Sequence, residues 1–183
     1  MLLDLSEIVV REGMRVSHEV DQGGVEDPDL VFTLPLRGHL MFENSGSLLG
    51  IHGEMDTQLA IPCSRCLEEV PVPIHLDVDE HLPIQDVIKP DRVPDPDEEV
   101  ETIVSTIVFL KQGRPILDLD ELLRQLIFSE IPIRTLCNDD CRGLCFRCGA
   151  NKNLRQCSCD EDGANRPLAS LAVLLDQKDD AGS

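Results

Sequence analysis

Cysteine is the residue type in this chain that can do chemistry, and its spacing says which. Six of the eight cysteines fall within the 23 residues Cys137 to Cys159, spaced Cys-x3-Cys-x3-Cys-x2-Cys-x8-Cys-x-Cys. The other two, Cys63 and Cys66, form a Cys-x-x-Cys far upstream. Four close pairs result: 63/66, 137/141, 145/148 and 157/159. A tetrahedral zinc site takes four thiolates, commonly as two such pairs, so one or two structural sites are expected and two would use every cysteine. One Cys-x-x-Cys is a weak signal; four pairs in one chain are a strong one. Gly149 follows Cys148 directly and Gly143 lies between Cys141 and Cys145. Glycine permits the positive φ of a thiolate-gripping turn and lets backbone N–H groups approach sulfur. Arg65 and Arg147 each precede the second cysteine of a pair, where they could donate to thiolates from outside the ligand shell.

Cys145, Cys148, Cys157 and Cys159 would make a compact local knuckle. Cys63 and Cys66 would then join Cys137 and Cys141, clamping the upstream half to the tail. The competing partition sets 137/141 with 145/148 and 63/66 with 157/159. The first is favoured, because little loop separates Cys141 from Cys145. Spacing alone admits iron as well as zinc. A disulfide framework needs an oxidising compartment, and MLLDLSEIVVREGM lacks the regions of a signal peptide. A redox pair at Cys63/Cys66 would have Arg65 to lower a thiol pKa, but lies in no βαβ pattern.

Other chemistry finds little support. The five histidines (His18, His39, His52, His75 and His81) are scattered, and no nucleophile elbow, His-Glu-x-x-His or phosphate-cradling loop occurs. His52, flanked by Gly50 and Gly53, reads as a strand residue. A closed four-cysteine site leaves zinc no open position for water, so the chain is expected not to be an enzyme and to take no small-molecule substrate. The formal net charge is −19, aromatic content is 3%, and there is no Trp or Tyr. Nucleic-acid binders neutralise phosphates with Lys and Arg and stack bases on aromatics. The tail is not a basic patch: Arg134, Arg142, Arg147, Lys152, Arg155 and Arg166 face Asp139, Asp140, Asp160, Glu161 and Asp162. So acidic a chain favours basic partners. No apolar run is long enough to suggest a membrane span.

The elements that must position the cysteines read as α+β: a mostly antiparallel β body, one amphipathic helix, a cysteine-rich zinc-bound tail and a short C-terminal helix. Residues 1–29 form a partly ordered segment in which Ile8-Val9-Val10 could start a strand. The body covers 30–135. LVFTLPL and GHLMFEN read as strands, with Asn44-Ser45-Gly46 as a turn, and SLLGIHGEMDTQLAIP leads to the first cysteine pair at a hairpin end. In VPVPIHLDVDEHLPI, Val72, Ile74, Leu76 and Val78 alternate with polar positions, and Pro71 and Pro73 put its start at a sheet edge. Residues 85–101 form an acidic, proline-rich loop, ETIVSTIVFL a strand, 111–114 a turn and ILDL a short strand. Leu119, Leu122, Leu123, Leu126 and Ile127 then share one face of a helix near 119–130. The zinc module and the final helix, at Arg166 to Leu175, cover 136–176; residues 177–183 should fray.

Cys63-Ser64-Arg65-Cys66-Leu67-Glu68 resembles the CxRCL element of the YceD family, the large ribosomal RNA subunit accumulation proteins. The helix, Ile131-Pro132, the tail cysteines, Gly143-Leu144 and Gly149 are similar to that family's tail. So is Arg166-Pro167-Leu168 to Leu175, although the family more often has an acidic residue, proline and arginine there. The resemblance covers roughly residues 30–176. It implies a bacterial cytoplasmic protein, or a plastid relative, that is needed for large-subunit (23S) rRNA to accumulate, without catalytic residues. The charge adds an expected partner, a basic ribosomal protein or assembly factor, with pre-ribosomal RNA engaged indirectly. A zinc-dependent thiol redox sensor or adaptor, and an RNA-binding knuckle using Arg147, Lys152 and Arg155, are the other classes.

Overall fold

The computed structural model describes residues 1–89 and 104–159. The long apolar alternations dictate its largest element, an antiparallel meander in the order β2-β3-β4-β5. Its strands are β2 (Arg15–Gln22), β3 (Phe32–Asn44), β4 (Leu48–Pro62) and β5 (Glu69–Pro83). Inward positions carry Leu36, Leu40, Leu49, Ile51, Met55, Leu59 and Leu76, all essentially buried. Outward positions are polar, so period two is legible along every strand. The β3–β4 turn sits at Ser45-Gly46, where the Asn44 carboxamide accepts from the Gly46 N–H at 2.7 Å. LVFTLPL and GHLMFEN, which read as separate strands, join in the single strand β3, with register shifts between Phe32 and Arg37. At Gly38 and Gly53 an added Cβ would lie 2.1 and 2.0 Å from carbonyl oxygens of the neighbouring strand. These glycines let the long strands coil closely over the core.

A second sheet, in the order β1-β7-β6, is built from β1 (Leu2–Asp4), β6 (Val108–Lys111) and β7 (Arg114–Asp118). Gln112 and Gly113, at φ 55° and 77°, make the two-residue turn between β6 and β7. The amphipathic helix α4 (Leu119–Glu130) starts where Asp118 accepts from the Glu121 N–H at 3.3 Å. It buries Leu119, Leu122, Leu123 and Ile127 in one core with both sheets. None of the described helices is long and apolar enough to cross a membrane.

Three readings are corrected. Ile8-Val9-Val10 lies in a short helix, α1 (Ser6–Val10), with the Asp4 carboxylate accepting from the Ser6 N–H at 2.9 Å. The acidic stretch opens with another, α2 (Ile84–Ile88), which buries Ile84 and Val87. ETIVSTIVFL divides into α3 (Val104–Ile107) and β6. For α1 and α3 the β-branched content suggested strand, and for α2 the acidic composition suggested loop; burial of one or two side chains on a single helical turn prevailed. Residues 90–101 of the acidic loop, the start of ETIVSTIVFL up to 103, and the final helix and tail expected beyond 159, lie outside the described residues.

Along α4, the Glu121 carboxylate accepts from Arg124 Nη2 and Nε, at 2.7 and 2.8 Å, and from the Gln125 amide at 2.9 Å. These hydrogen bonds, Arg124's first, hold its carboxyl down at about 2. A depressed carboxylate stabilises the fold above its ordinary titration and loses that contribution as pH falls through the folded value. At pH 6 the wild type is therefore expected to melt slightly above a Glu121→Gln variant. The gap should shrink below pH about 4.5 and vanish near pH 2, and thermal melts of the two proteins across that range would check it.

Candidate metal centres

The hairpin between β4 and β5 delivers Cys63 and Cys66 as a turn, and the chain leaving α4 returns Cys137 and Cys141 to it. Ser64 and Thr135 dock the two segments: the Ser64 N–H donates to the Thr135 carbonyl at 2.8 Å, and the Thr135 N–H to Ser64 Oγ at 3.2 Å. Cys63 Sγ lies 3.8 Å from Cys141 Sγ, and Cys66 Sγ 3.6 Å from Cys137 Sγ. Four thiolates at the usual zinc–sulfur distance of about 2.3 Å sit roughly 3.8 Å apart at the corners of a tetrahedron. The four sulfurs, all within 4.8 Å of one another, fit such an ion. Cys63, Cys66 and Cys141 are buried together with only Val70, Leu136 and Cys137 packed around them, separate from the main core.

Cys145, Cys148, Cys157 and Cys159 form a second group whose sulfurs also fall within 4.8 Å. The structure therefore brings the eight cysteines together in the first of the two partitions, and all eight are free thiols. The two Cys-x-x-Cys turns repeat one geometry. The Leu67 N–H donates to the Cys63 carbonyl at 2.9 Å, and the Gly149 N–H to the Cys145 carbonyl at 2.9 Å. Both closing residues have positive φ, 64° at Leu67 and 69° at Gly149. Gly143, also at φ 69°, brings its chain against the Arg65 carbonyl, which the Leu144 N–H meets at 3.0 Å. The two knuckles are thus stitched backbone to backbone.

Arg65 does not donate to sulfur through its side chain. Its guanidinium binds the carbonyls of Asp139 and Cys141, at 3.2 and 2.9 Å, and so holds the second pair in place. Arg147 lies over the Phe146 ring at 5.8 Å. The donors to sulfur are instead backbone N–H groups and two asparagines that the spacing argument missed. Asn153 Nδ2 donates to Cys141 Sγ at 3.2 Å while its Oδ1 accepts from the Arg142 N–H, and Asn138 Nδ2 reaches Cys137 Sγ at 3.6 Å. An asparagine one residue from a cysteine pair, or in the loop between pairs, was the available signal.

These donors set the thiol chemistry. Cys63 is drawn down to about 6, chiefly by the backbone N–H of Arg65, with Cys66 and Cys137 adding to it. Cys145 is likewise drawn down to about 6, by the N–H groups of Cys148 and Arg147. Cys137 is pushed up to about 12, first by its contact with Cys141, and Cys159 to about 12, first by Cys148. Each cluster thus holds both thiols that ionise readily and thiols that resist a further negative charge. In the first, Cys141 is also drawn down, chiefly by Asn153, and Cys66 is pushed up. In the second, Cys145 is drawn down and Cys159 pushed up. A cation among the sulfurs is what would let all four ionise.

A leucine at positive φ is strained by roughly 1–2 kcal/mol. Leu67 is 64% exposed, so its side chain offsets little of that strain by burial. Leu67→Gly is expected to raise the stability of the metal-loaded protein by up to about 1 kcal/mol. Leu67→Ala, which keeps the Cβ, should bring no gain, as paired denaturation curves would tell.

Residues 51–175 match the sequence model of a family described as large ribosomal RNA subunit accumulation protein YceD. The chain is 36% identical over 66 residues to the chloroplastic large ribosomal RNA subunit accumulation protein YCED homolog 1 of Arabidopsis thaliana, covering 34% of this chain and 21% of that protein. It is 41% identical over 44 residues to the homolog 1 of Zea mays, covering 24% of this chain and 15% of that protein. The matched region is thus about a fifth or less of the length of these relatives. No solved structure matches the chain significantly.

Proposed function

The chain belongs to the YceD family, and on that premise we propose that it is a non-enzymatic ribosome-biogenesis factor, needed for large-subunit 23S rRNA to accumulate in the bacterial cytoplasm, that acts by holding a basic ribosomal protein or assembly factor. The observation that supports this partner is the open face of the four-stranded sheet. Strand register sets Glu19, His39, Glu54 and Asp77 side by side across all four strands, and Asp21, Arg37, Asp56 and His75 in the next row. The face carries eight carboxylates and two arginines, Arg15 and Arg37, each of which already pairs with a carboxylate of the same face. Among the described residues, Glu19, Glu54 and Asp77 meet no lysine or arginine at ion-pair distance. A surface of this sign steers a cationic protein in and repels phosphate backbones.

Zinc is the ion assigned to both cysteine clusters, as a structural staple. All-thiolate tetrahedra suit it, and four sulfurs leave no position open for substrate. Arg65 serves it by fixing the Cys137–Cys141 turn, and Gly149 by closing the Cys145–Cys148 turn. The redox-sensor alternative would use Cys63 and Cys66 as its switch, and their exposure of 0% and 4% weighs against it. The test is the ratio of large- to small-subunit rRNA in cells depleted of the protein, together with binding of the purified protein to basic ribosomal proteins and to naked rRNA. A selective fall in large-subunit rRNA and capture of a basic protein are expected. Tight binding to naked rRNA at physiological salt would overturn the partner, and an unchanged ratio would overturn the function.

A further inference from the structure

The open sheet face also carries a constellation built around two histidines that neither the cysteine chemistry nor the charge argument explains. His52 on β4 and Asp79 on β5 are directly paired, and His81 stands in the next outward position of β5, opposite Gly50. His52 Nδ1 lies 2.8 Å from Asp79 Oδ1, and His81 Nδ1 3.8 Å from the same oxygen. The two imidazoles meet edge to face, with centroids 5.2 Å apart. One donor atom from each of the three residues falls within 4.8 Å of the others. Among the described residues this is the one group of three or more such donors outside the cysteine clusters.

We infer that His52, Asp79 and His81 form a third metal site, for a divalent transition ion of the kind that takes imidazole and carboxylate together. Donors around a tetrahedral ion, at about 2.0–2.2 Å each, lie roughly 3.3–3.6 Å apart, and the separations of 2.8 and 3.8 Å bracket that spacing. Two imidazoles and one carboxylate are a donor set that zinc, nickel and ferrous iron accept, whereas magnesium and calcium prefer oxygen alone. The place is also shaped for it. A Cβ at Gly50 would stand 2.6 Å from His52 Nε2, so the absence of a side chain at that position is what lets the His52 ring lie beside Asp79. Three protein ligands leave positions open, and the sheet face beside His52 is a hollow of about 470 Å³ that includes His39, Glu54 and Asp77. The site is independent of the ribosomal reading. It would stand if that reading failed.

The test uses the untagged full chain with both cysteine clusters filled with zinc, titrated with Ni²⁺. One further equivalent is expected to bind by calorimetry, broadening the ring-proton signals of His52 and His81 while His18, on the opposite face, stays sharp. His52→Gln and His81→Gln should each weaken binding by more than the roughly tenfold that loss of an outer-shell partner costs. The double variant should lose the equivalent altogether. Gly50→Ala, which crowds the His52 ring without removing a donor, should weaken it as well. Retention of the cooperative thermal transition in every variant, beside the cysteine-bound zinc, shows that the sheet and the knuckles both persist. The inference is overturned if the wild type binds no further Ni²⁺, if the double variant binds it equally, or if the broadening centres on His39 or His75.

Discussion

If zinc fills both cysteine clusters as proposed, Cys63→Ser is expected to halve the bound zinc and to release the segment that follows α4 from the β4–β5 hairpin. Cys63 is fully buried and accepts from the backbone N–H of Cys137 at 3.4 Å, besides facing Cys141. A hydroxyl there neither ligates zinc as a thiolate does nor fills the same volume. Structural zinc contributes on the order of 10–16 kcal/mol in small peptides, as much as a whole domain's stability. The apolar cluster around this site is too small to stand in for it. The main core is separate and contains no cysteine, so the two sheets and α4 should keep a cooperative thermal transition. Metal analysis should read one equivalent in place of two, and a protease should gain access around Ile133, which is already fully exposed. Cys145→Ser should also remove one equivalent but leave Cys137 and Cys141 docked, because they belong to the other cluster. A Cys63→Ser protein that still bound two zinc ions would sink the grouping of the eight cysteines.

The second large effect concerns charge. Glu54 and Asp77 stand directly opposite each other on β4 and β5, and Glu19 lies in the same row. Like charges across strands oppose pairing, at about 0.2–1 kcal/mol per pair. Glu54→Gln is therefore expected to stabilise the protein modestly while slowing capture of a basic partner. Reversal of Glu19, Glu54 and Asp77 to lysine together should cut the association rate on the order of 10–10³-fold, and the loss should be largest at low salt. Stopped-flow association across ionic strengths reads this directly. Stability that rises as partner capture falls would mark these carboxylates as retained for binding. Unchanged association in the triple variant would remove the sheet face from the mechanism.

Much of this was legible in the chain because it rests on local rules. Four close cysteine pairs specify thiolate turns whatever surrounds them. Leu119 to Ile127 hold helical period with Asp118 in front, and the polar–apolar alternation from Phe32 to Pro83 specifies strands with one wet face. The edge position of β5 followed from Pro71 and Pro73, since proline cannot donate to a sheet ladder. The short helices α1 and α3 were misread because β-branched side chains favour strand locally, and only packing against the sheets outweighs that preference.

Spacing favoured the joining of Cys63/Cys66 to Cys137/Cys141, but the tertiary structure decided which individual distant groups face one another. That Cys63 faces Cys141 across 78 positions of sequence follows from the return of the chain after α4, which no spacing rule encodes. The turn of Arg65 away from sulfur toward the carbonyls of Asp139 and Cys141 depends on that return as well, and the reach of Asn153 to Cys141 depends on the fold of the tail. So does the likeness of Leu67 to Gly149, because φ belongs to a closed turn and not to a residue type. The histidines show the limit most plainly. In sequence they are scattered and carry no motif; in the sheet, antiparallel register sets His52 beside Asp79 and His81. Residue types and short-range periodicity determined the local elements and the thiolate turns. Pairing across the chain determined the sites, because a site is made of distances between residues and the one-dimensional sequence holds none of them.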